Sequence, residues 1–138
     1  MSHTLNHAWF HVVWSTKQRA PLIDTSCERL LYPYLEQRFE EQRCRLIALN
    51  GMPDHVHALV APCLERAPSS IMQHVKGASA FWLNRKVGKK EFAWQTGYAL
   101  FTVSPDAVKS VARYIERPKE HHRGIGLADE LAQLAIQV

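Results

Sequence analysis

Two histidines, His55 and His57, stand one residue apart at the start of a short apolar segment, and imidazoles at this spacing can bind a metal ion. Alternate side chains of an extended strand project from one face, so both imidazoles share a side while Val56 turns to the other. Two imidazoles about 6–7 Å apart on one strand face can share a divalent ion. The apolar residues 58–61 predict a buried strand that holds the pair rigidly. A solvated histidine pair on a half-exposed face fits the same pattern.

A downstream tyrosine, Tyr114, is a candidate nucleophile. Residues 104–106 read Ser-Pro-Asp, a capping serine and a proline that predict the start of a helix. Tyr114 lies about 110° around the helical wheel from the centre of that helix's apolar stripe. At the edge of a buried face, a ring can be anchored while its hydroxyl points outward. A tyrosine that merely covers the core fits this position equally well.

The elements that must position these groups alternate between strand and helix patterns. Strands are predicted at 8–15, 45–49, 55–61, 92–94 and 98–103; helices are predicted after Asp24-Thr25-Ser26, from Pro68, from Pro105 and over 127–136. Pro33 is expected to kink the first helix or to mark a late start. Asn50-Gly51 is predicted to turn the chain between the second and third strands, although Pro53 and Asp54 also disfavour strand and leave a longer connection open. This order predicts an α+β fold, an antiparallel sheet covered by helices on one face.

Composition is typical of one soluble domain spanning residues 1–138. The hydrophobic share is 46%, the charged share is 22%, and 17 Lys+Arg against 13 Asp+Glu give a net charge of +4 with pI ≈ 9.1. A mildly basic chain permits a nucleic-acid partner without requiring one. Three cysteines without C-x-x-C spacing indicate reduced thiols. With neither a long apolar run nor a leader, the sequence predicts a cytoplasmic protein without a membrane span.

Four blocks of this sequence, in the same order, resemble those of the HUH-type single-tyrosine transposases. The family includes the insertion sequence 200/605-type enzymes and their relatives associated with repetitive extragenic palindromes. The blocks read HVVWSTKQR at 11–19, MPDHVH at 52–57, IMQHVKGAS at 71–79, and YALFTVS at 98–104 followed by VARYIE at 111–116. The resemblance covers residues 7–123.

The resemblance implies an architecture and a chemistry. The implied fold is ferredoxin-like or RRM-like, with the histidine pair on a central strand and the catalytic tyrosine, Tyr114, on a C-terminal helix. The implied enzyme cleaves and rejoins single-stranded DNA through a 5′-phosphotyrosine, with Mg²⁺ or Mn²⁺ held by His55 and His57. A phenol with an ordinary pKa near 10 needs such help at neutral pH.

One position departs from the family pattern. Glutamine commonly stands four residues after the tyrosine and completes the metal site, but this chain has Pro118 there. Proline offers no side-chain ligand, which leaves the third ligand open. Nearby substitutes are Glu116, Glu120, His121 and His122. The alternatives are a metal held by two histidines with water and phosphate, or weakened activity.

The resemblance also implies partners. DNA with a hairpin end is the implied substrate, and Lys17, Arg19, Lys76 and Arg85 are the candidate DNA-binding residues. The implied assembly is a homodimer with composite sites, in which the third helix of one subunit brings Tyr114 to the histidines of the other. Two other readings stay open: a non-catalytic or degenerate nucleic-acid-binding protein of the same fold, and a metal-dependent hydrolase without a covalent intermediate.

Overall fold

The protein is described by a computed structural model that covers residues 6–119, 126 and 129–132. Four strands form one antiparallel sheet in the order β2-β3-β1-β4, and three helices pack on it. The strands are β1 Trp9–Ser15, β2 Arg45–Met52, β3 His55–Ala61 and β4 Ala99–Val103; the helices are α1 Thr25–Glu41, α2 Pro68–Trp82 and α3 Val108–Ile115. This confirms the predicted α+β class with an antiparallel sheet.

One face of the sheet builds the main core against α1 and α2. Val12 and Trp14 of β1, with Val56, Ala58 and Val60 of β3, are buried there. Helix α1 begins at Thr25, where the Asp24 carboxylate accepts a hydrogen bond of 2.8 Å from the backbone N–H of Cys27. Its residues Cys27, Leu31, Leu35 and Phe39, each four positions after the last, form the buried stripe. The helix runs on through Pro33 instead of ending there.

Helix α3 packs on the opposite face, so the expectation that all helices cover one face was wrong. Ile115 of α3 is buried with Ala48 of β2 and Leu59 of β3. Because side chains alternate along a strand, Leu59 points away from the face that carries Ala58 and Val60. His55 and His57 have the same parity as Leu59 and therefore lie on the α3 side.

The turn between β2 and β3 lies at Pro53-Asp54, three residues later than the predicted turn at Asn50-Gly51. Asn50 and Gly51 belong to β2 and pair with His57 and Val56 of β3. A side chain at Gly51 would place its Cβ 2.1 Å from the His55 carbonyl oxygen, so glycine here permits a close strand approach and not a turn. The tight hairpin therefore makes His55 the first residue of β3, directly after the turn.

Residues 92–94 do not form the predicted strand. They contribute only an isolated bridge between Thr16 and Trp94, while β4 itself begins at Ala99.

The cysteines Cys27, Cys44 and Cys63 are free, as expected of reduced thiols. None of the helices within the described residues is long and apolar enough to cross a bilayer. Most of the predicted helix over 127–136 lies outside the described residues. The part that is described, residues 129–132, is helical.

Candidate active site

The histidine pair is buried on the α3 side of β3. His55 is 3% exposed and His57 is 2% exposed, with ring centroids 5.0 Å apart. The prediction that both imidazoles lie on one face of the strand is confirmed. The pair is buried, so it is not the solvated pair of the alternative. Two buried imidazoles need polar partners, because a buried ring nitrogen without one costs free energy.

Glu130 supplies those partners at the centre of the site. Its Oε2 lies 3.1 Å from His55 Nε2, and its Oε1 lies 3.1 Å from His57 Nε2. The three residues form one buried cluster of metal-ligating side chains. Adjacent ligands of an octahedral ion at 2.0–2.1 Å stand about 3 Å apart. The observed spacing therefore fits two imidazoles and one carboxylate around a single divalent cation.

The other ring nitrogen of each histidine has a partner of its own. His55 Nδ1 lies 2.7 Å from Asp54 Oδ1, and His57 Nδ1 lies 2.9 Å from His11 Nε2. His11 comes from β1 and is itself buried. Partners of this kind fix the ring orientation and tautomer of metal-binding histidines. Both rings thus present Nε2 to Glu130 while Nδ1 is held from behind.

The charges in the cluster depend on one another. Burial alone would raise the pKa of the Glu130 carboxyl, but hydrogen bonds from the two histidines hold that pKa well below its usual range. Burial would lower the pKa of His55, but the hydrogen bonds that His55 donates to the Glu130 and Asp54 carboxylates outweigh burial and raise that pKa. His11 behaves in the opposite way, since burial and the neighbouring His57 lower its pKa to about 3. Glu130 is therefore an anion and His11 is neutral at pH 7.

Tyr114 reaches this cluster from α3. Its hydroxyl donates a short hydrogen bond to Glu130 Oε1, and its ring centroid lies 6.0 Å from that of His57. Asn50 of β2 fixes the end of α3, because its Nδ2 donates to the carbonyl oxygens of Ile115 at 3.0 Å and Arg117 at 3.2 Å. Burial and the bond to Glu130 both raise the pKa of the Tyr114 phenol. In this arrangement the phenol keeps its proton.

Tyr114 and the histidine pair meet within one chain. The expected composite site, in which the tyrosine would come from a second subunit, stays a prediction. The connection from β4 to α3 is short, with Ser104 followed by a single 3-10 turn at Pro105–Ala107. Within this single chain, α3 packs on the sheet through Ile115. The homodimer itself stays a prediction.

The four candidate DNA-binding residues are distributed over both faces. Lys17 and Arg19 are exposed in a short turn at the end of β1, beside the site. Lys76 on α2 donates from Nζ to the carbonyl oxygens of Gln95 at 2.7 Å and Gly97 at 2.6 Å. Arg85 is exposed after α2, in the layer that covers the other face, with its guanidinium 5.9 Å from the Phe81 ring centroid. Lys76 thus anchors a loop, and Arg85 is not grouped with the histidines.

Comparison with known proteins assigns a family to this fold and site. The family model described as "Transposase IS200 like" matches residues 4–118, most of the chain. The chain belongs to the IS200-like transposases. This confirms the resemblance drawn from the four sequence blocks.

Among curated relatives, the ISDra2 transposase TnpA of Deinococcus radiodurans is 26% identical over 113 residues, covering 78% of this chain and 81% of its own. The transposase for insertion sequence element IS200 of Salmonella typhimurium is 25% identical over 129 residues, covering 89% of this chain and 84% of its own.

Two solved structures share this fold. One is described as a transposase from Deinococcus radiodurans, with a TM-score of 0.65 and 24% identity over 84% of this chain and 95% of the other. The second, a REP-associated tyrosine transposase bound to a REP hairpin, has a TM-score of 0.65 and 15% identity over 88% and 74%. At these identities the likeness concerns the fold alone.

Sequence reasoning missed two residues of the IS200-like site. It sought the third ligand close to Pro118, whereas the cluster takes Glu130; of the substitutes considered, Glu116 is exposed at the end of α3, and Glu120, His121 and His122 lie outside the described residues. A signal for Glu130 was present, since it stands three residues after Leu127 and four before Leu134, on the apolar side of a helical pattern. A carboxylate at such a position needs a buried partner. His11 gave a weaker signal, as a lone histidine in an apolar strand.

Proposed function

We propose that this chain is a DNA transposase that cleaves and rejoins single-stranded DNA through a 5′-phosphotyrosine on Tyr114. The observation that carries the proposal is the convergence of the Tyr114 hydroxyl, two imidazole Nε2 atoms and one carboxylate in a single cluster. A nucleophile beside a metal-ligating set is the arrangement that phosphodiester transfer requires. Membership of the IS200-like transposase family supports this assignment.

His55, His57 and Glu130 are the residues proposed to hold a divalent ion, Mg²⁺ or Mn²⁺. The ion would draw charge from the scissile phosphate and stabilise the transition state. Asp54 and His11 keep the two Nε2 atoms aimed at the site by holding each Nδ1.

Glu130 also accepts a hydrogen bond from the Tyr114 hydroxyl. Its carboxylate is therefore placed to accept that proton as the phenol oxygen attacks phosphorus. The new bond joins the tyrosine oxygen to the 5′ phosphate as the bond from phosphorus to the upstream 3′ oxygen breaks. That oxygen takes a proton, equal in number to the one that Glu130 accepts, and leaves as a 3′-hydroxyl.

The proposed substrate is single-stranded DNA next to a hairpin. One solved structure with this fold is bound to a REP hairpin, and Lys17 and Arg19 project at the end of β1 beside the site. Because single-strand ends are joined in pairs, we also propose a homodimer in which each chain carries its own Tyr114 and histidine pair. Lys76 and Arg85 stay proposed DNA contacts away from the cleavage site.

Single-turnover incubation with labelled single-stranded DNA and Mg²⁺ or Mn²⁺ tests the proposal. We expect a covalent protein–DNA adduct on a denaturing gel, lost in Tyr114→Phe while DNA binding is retained. The substitution removes one oxygen and keeps the ring, so the packing loss is under about 1.5 kcal/mol. An adduct formed by the Phe variant would make Tyr98 the next candidate nucleophile. Product without an adduct means a hydrolase, and binding without either means a non-catalytic protein.

A further inference from the structure

A cavity of about 580 Å³ opens where β1 separates from β4. The two strands pair as far as Val13 and Ala99, and the next bridge joins Thr16 to Trp94. Between these two points lies a loop of residues 95–98, called the bulge below, which is tied to β1 where the Gln95 N–H donates to the Ser15 carbonyl oxygen at 2.9 Å. The gap is lined by Val13, Trp14, Ser15, Gln18, Arg19, Gln95, Thr96, Gly97, Tyr98, Ala99 and Leu131.

The cavity borders the proposed cleavage site. Across the sheet, Ser15 pairs with His55 and Val13 pairs with His57. Leu131, which lines the cavity, follows Glu130 in the chain. With β1 between them, the cavity and β3 are about two strand spacings apart, roughly 10 Å. A nucleotide whose phosphate lies at the histidine pair can therefore reach into the cavity.

The walls of the cavity are held in place before any ligand binds. The Lys76 ammonium fixes the bulge by donating to the carbonyl oxygens of Gln95 and Gly97. Gln18 and Arg19 adopt left-handed backbone angles, with φ of 56° and 54°. Two successive non-glycine residues with positive φ store conformational free energy, and such strain clusters at binding sites. The turn and the bulge are joined where the Gln18 N–H donates to Gln95 Oε1 at 3.1 Å.

Two side chains on these walls, Gln95 and Arg19, present hydrogen-bond donors. Because Gln95 Oε1 accepts from a backbone N–H, its carboxamide nitrogen is left as the donor end. Arg19 adds a guanidinium, which carries only donors. Tyr98, 37% exposed, adds a ring on which a base can stack. Among the bases, guanine and thymine present acceptors on their Hoogsteen edges, whereas adenine and cytosine present amino donors there.

We propose that this cavity binds one unpaired keto base, guanine or thymine, from the nucleotide next to the scissile phosphate. The inference rests on the proposed function and names a specificity determinant for it. Tyr98 stacks on the base, Gln95 and Arg19 donate to its carbonyl oxygens, and Lys76 keeps the bulge in position.

Titration with mononucleotides, followed by amide shifts of residues 95–97 in NMR spectra, tests this without a target sequence. We expect saturable shifts with dGMP and TMP, about tenfold tighter than with dAMP and dCMP. Deoxyribose 5-phosphate should give none at these amides. A tetranucleotide containing thymine should bind more tightly than TMP, because it adds phosphate contacts. Equal shifts with all four nucleotides, shifts with the sugar phosphate alone, no shifts, or weaker binding of the strand would each overturn the proposal.

Three variants sharpen the titration. Tyr98→Ala should weaken dGMP and TMP binding about tenfold, whereas Tyr98→Phe should not. Phe81→Ala removes an exposed ring on the opposite face and should change nothing. Gln95→Glu keeps an oxygen for the Gln18 N–H but removes the donors, so it should shift the preference toward dAMP and dCMP. An unchanged preference in that variant contradicts the assignment of Gln95.

The two proposals fail separately. Tyr114→Phe cannot form an adduct, yet its cavity should bind the same nucleotides with unchanged affinity. A positive titration without any adduct from the wild-type protein would reject the phosphotyrosine chemistry and keep the base site. An adduct from the wild-type protein without nucleotide binding would keep the phosphotyrosine chemistry and reject the base site.

Discussion

The same strands form both faces of the sheet, but the buried side chains on the two faces differ in chemical type. On the face under α1 and α2, Val12, Trp14, Val56 and Ala58 are buried among apolar side chains. On the face under α3, the intervening positions of the same two strands carry His11, His55 and His57, equally buried. The first face gains free energy from apolar burial. The second buries titratable groups, which is tolerable only because each has a partner.

Neighbouring residues on one strand therefore serve different requirements, apolar packing on one face and polar interactions on the other. In β3, even-numbered positions hold the fold together, whereas the odd-numbered positions up to His57 carry the proposed metal-binding side chains. Leu59 continues the odd series but packs against Ile115 of α3, so the core under α3 begins where the site ends. Substitutions one residue apart should therefore fail in opposite ways.

Replacing one histidine tests this contrast with the largest effect. His57→Ala or His55→Ala should abolish metal-dependent DNA cleavage while the protein stays folded, because the pair acts as one binding unit. Val56→Ala, between them, should instead lower the free energy of unfolding by about 1–3 kcal/mol and leave cleavage intact at a permissive temperature. Cleavage assays with thermal melts of all three variants separate the two failures. Wild-type cleavage by either histidine variant, with the same metal dependence, would remove the metal-site assignment.

Mixing two inactive variants tests whether the site face belongs to a single chain. His57→Ala and Tyr114→Phe should stay inactive when combined, because Tyr114 lies beside the histidine pair of its own chain. Every site in the mixture would then lack one group. In a composite dimer, a mixed pair has one intact site, and cleavage returns. Recovered cleavage would therefore reinstate the exchange of α3 between subunits, and size measurements on the same mixture would show whether a dimer had formed.

Glu130 tests how far the chemistry depends on a residue outside the sheet. Glu130→Ala should weaken Mn²⁺ binding by more than the roughly 10–100-fold that loss of an outer partner costs. Without metal, the Tyr114 pKa should fall, because the bond to Glu130 helps to raise it. Isothermal titration and the tyrosine absorbance at alkaline pH give the two readouts. The exposed neighbour Asp129→Ala is the matched control, and equal metal affinity in both variants would exclude Glu130 as a ligand.

The sheet face of the site was predictable from the sequence, because strand alternation is local. The spacing of His55 and His57 gives their shared side without knowledge of any neighbour. Tyr114 was placed at the edge of an apolar stripe by the helical period, and its ring does lie against His57.

The remaining parts depend on long-range contacts that no local pattern contains. Glu130 reaches His55 across 75 positions of the chain, and His11 reaches His57 across 46. The β2–β3 turn was misplaced because Asn50-Gly51 has the composition of a tight turn, while Asn50 instead holds the end of α3. In both cases a tertiary contact decided between alternatives that local propensity left equal.

The smallest expected effect concerns His11, the one site residue on β1. A metal ion at His57 Nε2 leaves the proton on Nδ1, so the neutral His11 must accept it with Nε2 at 2.9 Å. His11→Leu removes this acceptor and should weaken Mn²⁺ binding about tenfold, whereas His11→Gln supplies an amide oxygen and should recover most of it. Thermal melts alone cannot distinguish positioning from packing, because both substitutions alter a buried site. The ¹⁵N shifts of the His57 ring, recorded with diamagnetic Mg²⁺, report the tautomer directly. If His11→Leu binds metal as the wild type does and keeps the same His57 tautomer, His11 belongs with the core residues of its strand and not with the site.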